Sequence, residues 1–425
     1  MQSKQSYVRT ILASPAATGE WAHCRRTAAV ADLIAHHLFL QSEEKDLLRT
    51  ACLLHHHSTG LFAPKSLQRL LADIFEEGVP AAVMEDRVPE SVRGVLNAYD
   101  APGTGTALEA RLAGILRLAE AFDLSMEAQP IEREEVDEIL ERLRAGAGAG
   151  LWSEESIDAL VQATHPPEMG DPDSWRVPVF PQAALRMLNL MRNPQANVAD
   201  VVEAASLDPA IAGVIMRLAN SALFGSRTPA STIAKAIVRL GFATAQKVVT
   251  SAALRPLFGS PRLQETWQHS LQVADLSEQL AGASEEIDPA EAYLAGLLHD
   301  VGRIALLSMP VYDSARLQGL ENGGCYPVYA ENLLLRTDHA ALGARIANSW
   351  RLPEPIVSAI RQHHRPESAE SPLAHLLYLG EFLSGSEEDL PSIVRLEISL
   401  KGARLTWDDV GRCSVSPLGR WLAAA

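Results

Sequence analysis

Apolar residues recur along most of this chain at intervals of three and four positions, which is the spacing of one face of an α-helix. The stretch VADVVEAASLDPAIAGVIMRLANSALF, residues 198–224, shows this pattern clearly. Runs that alternate apolar and polar residues, as strands do, are nearly absent before the C-terminal tail. Ala and Leu, which favour helices, are abundant. The sequence therefore predicts an all-α protein.

Two breaks interrupt the helical pattern. RAGAGAGLW, residues 144–152, reads as a flexible Gly/Ala break, and THPPEMGDPDSWRVPVFP, residues 164–181, is a Pro-rich connection with a short helical segment before it. The predicted organisation is a helical domain at 1–145, a linker at 146–175, a larger helical domain at 176–385 that is divided into halves at 176–257 and 258–385, and a tail at 386–425.

The tail contains SIVRLEISLKGARLTW, residues 392–407, which has the strongest strand character in the chain. Two predictions remain open for this stretch. It forms a small β-hairpin around Lys401-Gly402, or it belongs to a frayed tail.

The two helical domains resemble each other in sequence. WAHCRRTAAVADLIAHHL (residues 21–38) resembles WQHSLQVADLSEQLA (residues 267–281), and Leu-Leu-His follows each about thirty residues later. Each domain ends with a similar helix, GILRLAEAFDLSM (residues 114–126) and AHLLYLGEFLSG (residues 374–385). Two divergent copies of one helical fold would explain these correspondences.

Composition limits the functional classes. The chain has 425 residues, of which 47% are hydrophobic and 21% charged, so two or three domains with sizeable cores are expected. Its formal net charge of −16 disfavours general binding to nucleic acid. No apolar run is long enough to span a membrane. The four cysteines lie far apart without CxxC spacing, which indicates reduced thiols and a cytoplasmic location.

Histidine and carboxylate residues at the ends of successive predicted helices are the candidates for chemistry. His299 and Asp300 end one predicted helix, and Gly302 is expected to terminate it. Imidazole and carboxylate groups bind Zn, Mn and Fe, and several helices of a bundle can supply them to one centre. A hydrogen-bonded pair without metal is the alternative. The predicted metal ligands are His269, His299, Asp300, His339, His363, His364 and Glu381.

These motifs resemble the HD superfamily, whose signature is a His, a later His-Asp pair and a final Asp. Residues 176–385 are more closely similar to HDOD domains, the HD-related output domains of bacterial signalling proteins. VPVFPQAA, LDPAIAGVIMRLANSALFG and IAKAIVRLGFATAQKVV, which begin at Val177, Leu207 and Ile233, carry this resemblance. The same stretches also predict two packed helices, the second capped by Asp208 with Pro209 at its first position.

The resemblance implies a regulatory role, because HDOD domains are thought to signal through protein contacts and many lack the HD ligands. This chain keeps them but has Glu381 where the pattern has Asp, which displaces the carboxylate. It also differs from the related HD-GYP phosphodiesterases of cyclic di-GMP. The loop typical of that group does not follow His364, and Arg303 stands where that group has Lys.

The N-terminal copy resembles a degenerate HD domain. His23, His55 and Asp123 match HD positions, while His56 stands where a bridging Asp is expected and removes negative charge that the metal needs. Two interpretations remain, a structural or sensing relic and a mononuclear site formed by His23, His55, His56 and Asp123.

Two functional hypotheses follow. The first is a bacterial cytoplasmic regulatory protein without catalysis, whose partners are other signalling proteins. The second is a metal-dependent phosphohydrolase that uses Fe, Mn or Zn and acts on a nucleotide or cyclic dinucleotide. The sequence does not indicate an oligomeric state.

Overall fold

The computed structural model describes residues 19–55, 89–127, 133–164 and 178–424, the last range with gaps at 192, 194, 226–227, 285, 310–316, 319, 321–326 and 386–392. Helices and short 3₁₀ turns are the regular structure of these residues, and they contain no strand. The predicted all-α class is confirmed. No helix in these ranges is long and apolar enough to cross a membrane.

The helices are α1 (Gly19–His37), α2 (Ser42–Leu54), α3 (Glu90–Asp100), α4 (Ala107–Glu127), α5 (Arg133–Gly148), α6 (Glu154–Thr164), α7 (Gln182–Met191), α8 (Val198–Ala205), α9 (Pro209–Ala219), α10 (Ile233–Leu240), α11 (Phe242–Leu254), α12 (Gln264–Ala281), α13 (Pro289–Leu298), α14 (Gly302–Ser308), α15 (Pro327–Leu335), α16 (His339–Ser349), α17 (Glu354–Gln362), α18 (Pro372–Ser384), α19 (Ile393–Gly402), α20 (Trp407–Arg412) and α21 (Pro417–Ala424).

The chain divides into two compact units, and each unit is made of more than one segment of the sequence. The first comprises Met1–Met169, Asp313–Asp338 and Glu387–Ile393; the second comprises Gly170–Tyr312, His339–Ser386 and Val394–Ala425. Helix α15 therefore belongs to the first unit, although it lies far along the chain.

The first unit is built around α1, which packs against α2, α4 and α6. The side chains of Ile34, Ile115 and Phe122 are fully buried there. Helix α15 packs against α6, and the Arg26 guanidinium on α1 lies 5.7 Å from the Tyr329 ring centre. These contacts make α15 part of this unit's core.

The segment assigned from the sequence to a linker is folded in its described part, residues 146–164. Helix α5 continues to Gly148, and the Trp152 indole donates a hydrogen bond to the Leu143 carbonyl at 3.1 Å. A Cβ at Gly146 would lie 2.3 Å from the Trp152 ring. Glycine thus leaves space for the tryptophan to cover the end of α5, and α6 then packs against α1.

The second unit places α12 at its centre, against α13, α18 and α21. Helices α7 to α11 pack on one another, and α11 also contacts α13. The predicted cap of α9 is confirmed, because the Asp208 side chain accepts a hydrogen bond from the Ala210 amide and Pro209 occupies the first turn.

The predicted hairpin around Lys401-Gly402 is wrong. Residues 393–402 form helix α19, which buries Leu396 and Leu400 at helical spacing. The β-branched residues gave the stretch its strand character, but the four-residue apolar interval decides the outcome. The alternative of a frayed tail is also wrong, since Asp275 on α12 accepts hydrogen bonds of 2.6 Å from both the amide and the hydroxyl of Ser416.

Candidate metal centre

His299 and Asp300 directly follow α13 and are fully buried. The Asp288 side chain caps this helix by accepting a hydrogen bond from the Ala290 amide at 2.9 Å. A Cβ at Gly296 would lie 2.5 Å from the Ala274 Cα, so glycine is needed where α13 crosses α12. This close crossing fixes the end of α13, and with it the His-Asp pair.

Gly302 has a different role from the predicted one. Helix α13 already ends at Leu298, and Gly302 is the first residue of α14. A Cβ there would lie 1.9 Å from the His339 carbonyl oxygen and 2.6 Å from the Gly343 amide nitrogen. The residue is glycine because the backbone of α16 passes too close for any side chain, and this contact holds His339 near Asp300.

One set of candidate ligands comes from α12, α13 and α18. The Oε1 atom of Glu381 lies 3.0 Å from the Nε2 atom of His269 and 2.6 Å from that of His299. The three ligand atoms are close enough together to hold one metal ion. The longer Glu side chain therefore reaches both imidazoles despite the expected displacement from an Asp position.

A second set comes from the start of α16 and the end of α17. The Nε2 atoms of His339 and His364 are 2.9 Å apart, and the His363 and His364 ring centres are 4.0 Å apart. These three histidines also offer ligand atoms within reach of one ion. All three are buried.

Asp300 lies between the two sets. Its Oδ1 atom is 3.1 Å from His339 Nε2, whereas its Oδ2 atom is 3.6 Å from His299 Nε2 and accepts a hydrogen bond from Arg303 Nε at 3.0 Å. Each oxygen thus faces a different set. The structure brings all seven sequence-predicted ligands together, in an arrangement that suits two cations bridged by one carboxylate.

The tautomers of two imidazoles are fixed by backbone contacts. His299 Nδ1 donates to the Gly296 carbonyl at 2.7 Å, and His363 Nδ1 donates to the Ile360 carbonyl at 2.6 Å. Their Nε2 atoms are consequently directed into the cluster. Within the described residues, His363 Nε2 and Glu381 Oε2 are buried without a hydrogen-bond partner. Such atoms indicate that a cation fits here.

The local charges favour ionised carboxylates. Burial acts to raise the pKa of Asp300, but Arg303, His299 and His339 outweigh it and hold this pKa well below its usual value. Burial also acts to raise the pKa of Glu381, but His269 and His299 outweigh it and hold this pKa low. Carboxylates of this kind are ready to bind metal.

The histidines of the second set behave differently. Burial, together with the charges of His299 and His339, lowers the pKa of His363 to about 3. Burial also lowers the pKa of His364 well below its usual value. The pKa of His299 is raised, because Asp300 and Glu381 outweigh its burial. His363 and His364 are therefore neutral ligands, whereas a cation must displace a proton from His299.

The first unit contains a smaller cluster around the residues of the N-terminal copy. His23 lies on α1, and His55 directly follows α2. One of the two interpretations of the N-terminal copy included Asp123 among the ligands of a mononuclear site. In the structure, the Asp123 carboxylate accepts hydrogen bonds from Arg26 Nε at 2.8 Å and from Arg26 Nη2 at 3.1 Å. Glu120 is the acidic residue close to the Nε2 atoms of both His23 and His55, whereas Asp123 Oδ2 lies 2.7 Å from His23 Nδ1. His56 lies outside the described residues.

A sequence signal for Glu120 exists. Leu-Ala-Glu at residues 118–120 corresponds to Leu-Gly-Glu at residues 379–381, which aligns Glu120 with Glu381. The sequence pointed to Asp123 as a candidate ligand because the HD pattern ends in Asp. The relation of the whole N-terminal domain to the HD fold stays a prediction.

The second unit is thus an all-α unit that contains a buried cluster of histidines and carboxylates. Residues 177–366 match the HDOD domain model, and this part of the chain is an HDOD domain. The matched region covers the upstream helices α7 to α11 and most of the metal-centre residues, but not Glu381 on α18.

The curated relatives share only part of their length with this chain. A Treponema pallidum protein described as uncharacterized is 27% identical over 192 residues, which cover 44% of this chain and 37% of that protein. Ribonuclease Y of Thermus thermophilus is 30% identical over 129 residues, which cover 30% of this chain and 18% of the enzyme. Each match therefore leaves more than half of this chain and more than half of the relative uncovered.

A solved structure from Marinobacter aquaeolei, named as a candidate signal transduction protein, is similar to this fold. It has a TM-score of 0.50 and 21% identity, and the match covers 66% of this chain and 64% of that one. At this identity the similarity concerns the fold alone.

Proposed function

We propose that this protein is a bacterial cytoplasmic signal-transduction protein that acts through protein contacts of its HDOD domain. The distribution of exposed apolar side chains supports this proposal. Among the described residues of the second unit, all the exposed large hydrophobic side chains lie in the upstream half of the HDOD domain, namely Val179, Leu185, Leu207, Leu223 and Val238. Single exposed apolar residues are common, but their concentration in one half is typical of a contact surface.

The described residues of the upstream half supply no candidate ligand to the metal centre. Its most exposed apolar residues are Val179, at 86% of full exposure, and Val238 on α10, at 69%. A bound partner would cover these side chains, which lie outside the candidate metal centre. The name given to the Marinobacter structure agrees with this role. In this proposal the partners are other signalling proteins.

Charge substitutions test the proposed surface. The wild-type protein and the variants Val179→Glu and Val238→Glu would each be cross-linked to their partners in the cells that make the protein. The captured partners would be identified by mass spectrometry. We expect both to lose a partner that the wild-type protein captures. Leu108→Glu, at an exposed apolar position on α4, and Asp300→Asn should both retain it. Retention of every partner by Val179→Glu and Val238→Glu would refute the proposal.

A second candidate function, a metal-dependent phosphohydrolase, is favoured by the bridged ligand set. Two cations held by the seven residues would polarise a phosphoester and activate water. Arg303 lies beside Asp300 and could hold a phosphate oxygen. The chain lacks the loop that follows His-His in HD-GYP enzymes, so a nucleotide phosphoester other than cyclic di-GMP is the better substrate class.

Turnover distinguishes the two candidates. Protein loaded with Mn or Fe would be assayed on bis(p-nitrophenyl) phosphate, on cyclic di-GMP and on other nucleotide phosphoesters. The regulatory proposal expects rates far below about 1 per second, the lower range of ordinary enzymes. A rate of that order with any of these substrates, lost in Asp300→Asn but not in Asp288→Asn, would establish the phosphohydrolase.

A further inference from the structure

The first unit contains three side chains whose geometry resembles that of a mononuclear metal site. His23 from α1, His55 after α2 and Glu120 from α4 each offer one ligand atom, and these atoms lie within 4.8 Å of one another. Glu120 Oε1 is 4.0 Å from His23 Nε2 and 3.7 Å from His55 Nε2. The two imidazole ring centres are 5.4 Å apart.

Both imidazoles present the same nitrogen to this cluster. His55 Nδ1 donates a hydrogen bond to the Cys52 carbonyl at 2.6 Å, and a carbonyl can only accept. The neutral ring therefore carries its lone pair on Nε2, on the side of Glu120. His299 and His363 in the second unit are fixed by the same contact with the carbonyl three residues earlier.

His23 is oriented by a carboxylate. Its Nδ1 atom lies 2.7 Å from Asp123 Oδ2, and Asp123 is in turn held by two hydrogen bonds from Arg26. Burial acts to raise the pKa of Asp123, but the hydrogen bond from His23 and the charge of Arg26 outweigh it and lower this pKa. A carboxylate on the Nδ1 side of a histidine is the usual support for a metal-binding Nε2.

Glu120 is also held in place. Its Oε2 atom accepts a hydrogen bond from the Tyr99 hydroxyl, while Oε1 faces the imidazoles. Burial and the neighbouring Glu120 carboxylate raise the pKa of Tyr99, so this group remains a phenol that donates. All three candidate ligands are thus oriented by a neighbour: the Cys52 carbonyl, Asp123 or Tyr99.

We propose that His23, His55 and Glu120 bind one divalent first-row cation, Zn²⁺ or Fe²⁺, through Nε2, Nε2 and Oε1. Two histidines and one carboxylate leave positions on the ion open, as in catalytic zinc sites and mononuclear iron sites. Asp123 is a positioning residue in this proposal and not a ligand. The site lies in the first unit and does not depend on the function proposed for the HDOD domain.

Counting bound cations in near-isosteric variants of the full chain tests this proposal. Metal-free wild-type, Glu120→Gln, Glu381→Gln and doubly substituted proteins would be titrated with Zn²⁺ and with Co²⁺, whose absorption reports the ligand set. We expect Glu120→Gln to lose one equivalent of bound cation, or to bind it at least tenfold more weakly. The same loss should occur in the Glu381→Gln background, which separates this site from the one in the second unit.

Two further variants make the result specific. His36→Gln changes an exposed histidine on the same helix as His23 and should bind as the wild type does. Asp123→Asn should weaken the site by about 10- to 100-fold without removing it, as expected for a residue that supports a ligand. Circular dichroism would verify that each variant is folded. Equal stoichiometry and affinity in wild-type and Glu120→Gln protein would overturn the proposal.

Discussion

Asp300 is the side chain on which the cluster in the second unit depends most. Its Oδ1 atom contacts His339 of one ligand set, and its Oδ2 atom faces His299 of the other. A carboxylate can bridge two cations because each oxygen carries part of its charge, whereas an amide of the same shape lacks that charge. Metal content should therefore respond to this residue more than to any single histidine.

We predict that Asp300→Asn removes at least one equivalent of bound Mn²⁺ or Fe²⁺. The amide cannot supply the negative charge between the two sets, and Arg303 then lies beside a neutral group. Elemental analysis after gel filtration measures the loss. Asp288→Asn is the matched control, since Asn caps a helix as well as Asp does. Equal metal content in the two variants would contradict the bridging role.

A pH dependence follows from the buried histidines in the metal-free protein. The pKa of His363 is lowered to about 3, and that of His364 is also low, whereas both imidazoles take up protons near pH 6.5 once unfolded. Between pH 4.5 and 6 the unfolded state thus binds more protons, so the free energy of unfolding falls as pH falls. His299, with a raised pKa, changes little in this window. Glu381 adds to the same fall near pH 4.5, because its pKa is low in the folded protein and ordinary in the unfolded chain.

We predict that His364→Gln reduces this slope by about 1.4 kcal/mol per pH unit, the contribution of one proton. Urea unfolding of chelator-treated protein at several pH values measures it. His36→Gln, at an exposed position, should leave the slope unchanged. A slope in His364→Gln equal to that of the wild type would show that His364 is protonated in the folded protein.

At the level of helices, the centre depends on close backbone crossings. Gly302 at the start of α14 lies against the His339 carbonyl, and Gly296 on α13 lies against Ala274 of α12. These contacts set the separation between the segments that carry the ligands. A side chain at either position would move a whole helix and not one ligand.

We predict that Gly302→Ala destabilises the second unit by about 1–3 kcal/mol or more and lowers its metal content. The added methyl group would lie 1.9 Å from a carbonyl oxygen, so α14 and α16 must separate. Thermal unfolding and metal analysis measure both effects. Gly213→Ala on α9 is the control, because no atom lies within 4 Å of the added Cβ, and Ala stabilises a helix by about 0.5–1 kcal/mol.

The sequence predicted local features better than contacts between distant segments. Asp208 and Pro209 were identified as a helix start because capping depends on neighbouring residues. The role of Gly302 could not be predicted, since it depends on the backbone near His339, far along the chain. Asp123 remained a candidate ligand in one interpretation because nothing in its local sequence shows that Arg26 binds it. The hairpin prediction failed because contacts with distant segments, which bury Leu396 and Leu400, decide the structure of this stretch.

At the scale of the whole molecule, the HDOD region is not identical with one compact unit. Helix α15 lies within residues 177–366, yet it packs against α6 in the first unit. Ala330, Leu333 and Leu335 on this helix are buried. A fragment chosen from the sequence boundaries alone would therefore separate α15 from its packing partner.

We predict that residues 170–425, expressed alone, bind more 8-anilinonaphthalene-1-sulfonate than the full chain and sediment partly as aggregates. Removal of α6 exposes apolar surface on α15, which is the kind of patch that causes association. Replacing Leu333 and Leu335 by Gln in the fragment should reduce dye binding. A fragment with no more dye binding than the full chain would show that α15 is stable without the first unit.

The position of α15 also has a consequence for the order of events during synthesis. Helix α6 leaves the ribosome long before α15, with Gly170–Tyr312 of the second unit made in between. At about 5–20 residues per second, roughly ten to thirty seconds separate the two helices. The first unit is therefore the first to begin folding but cannot be completed in that time. During this interval, chaperones have access to the surface of α6 that α15 later covers.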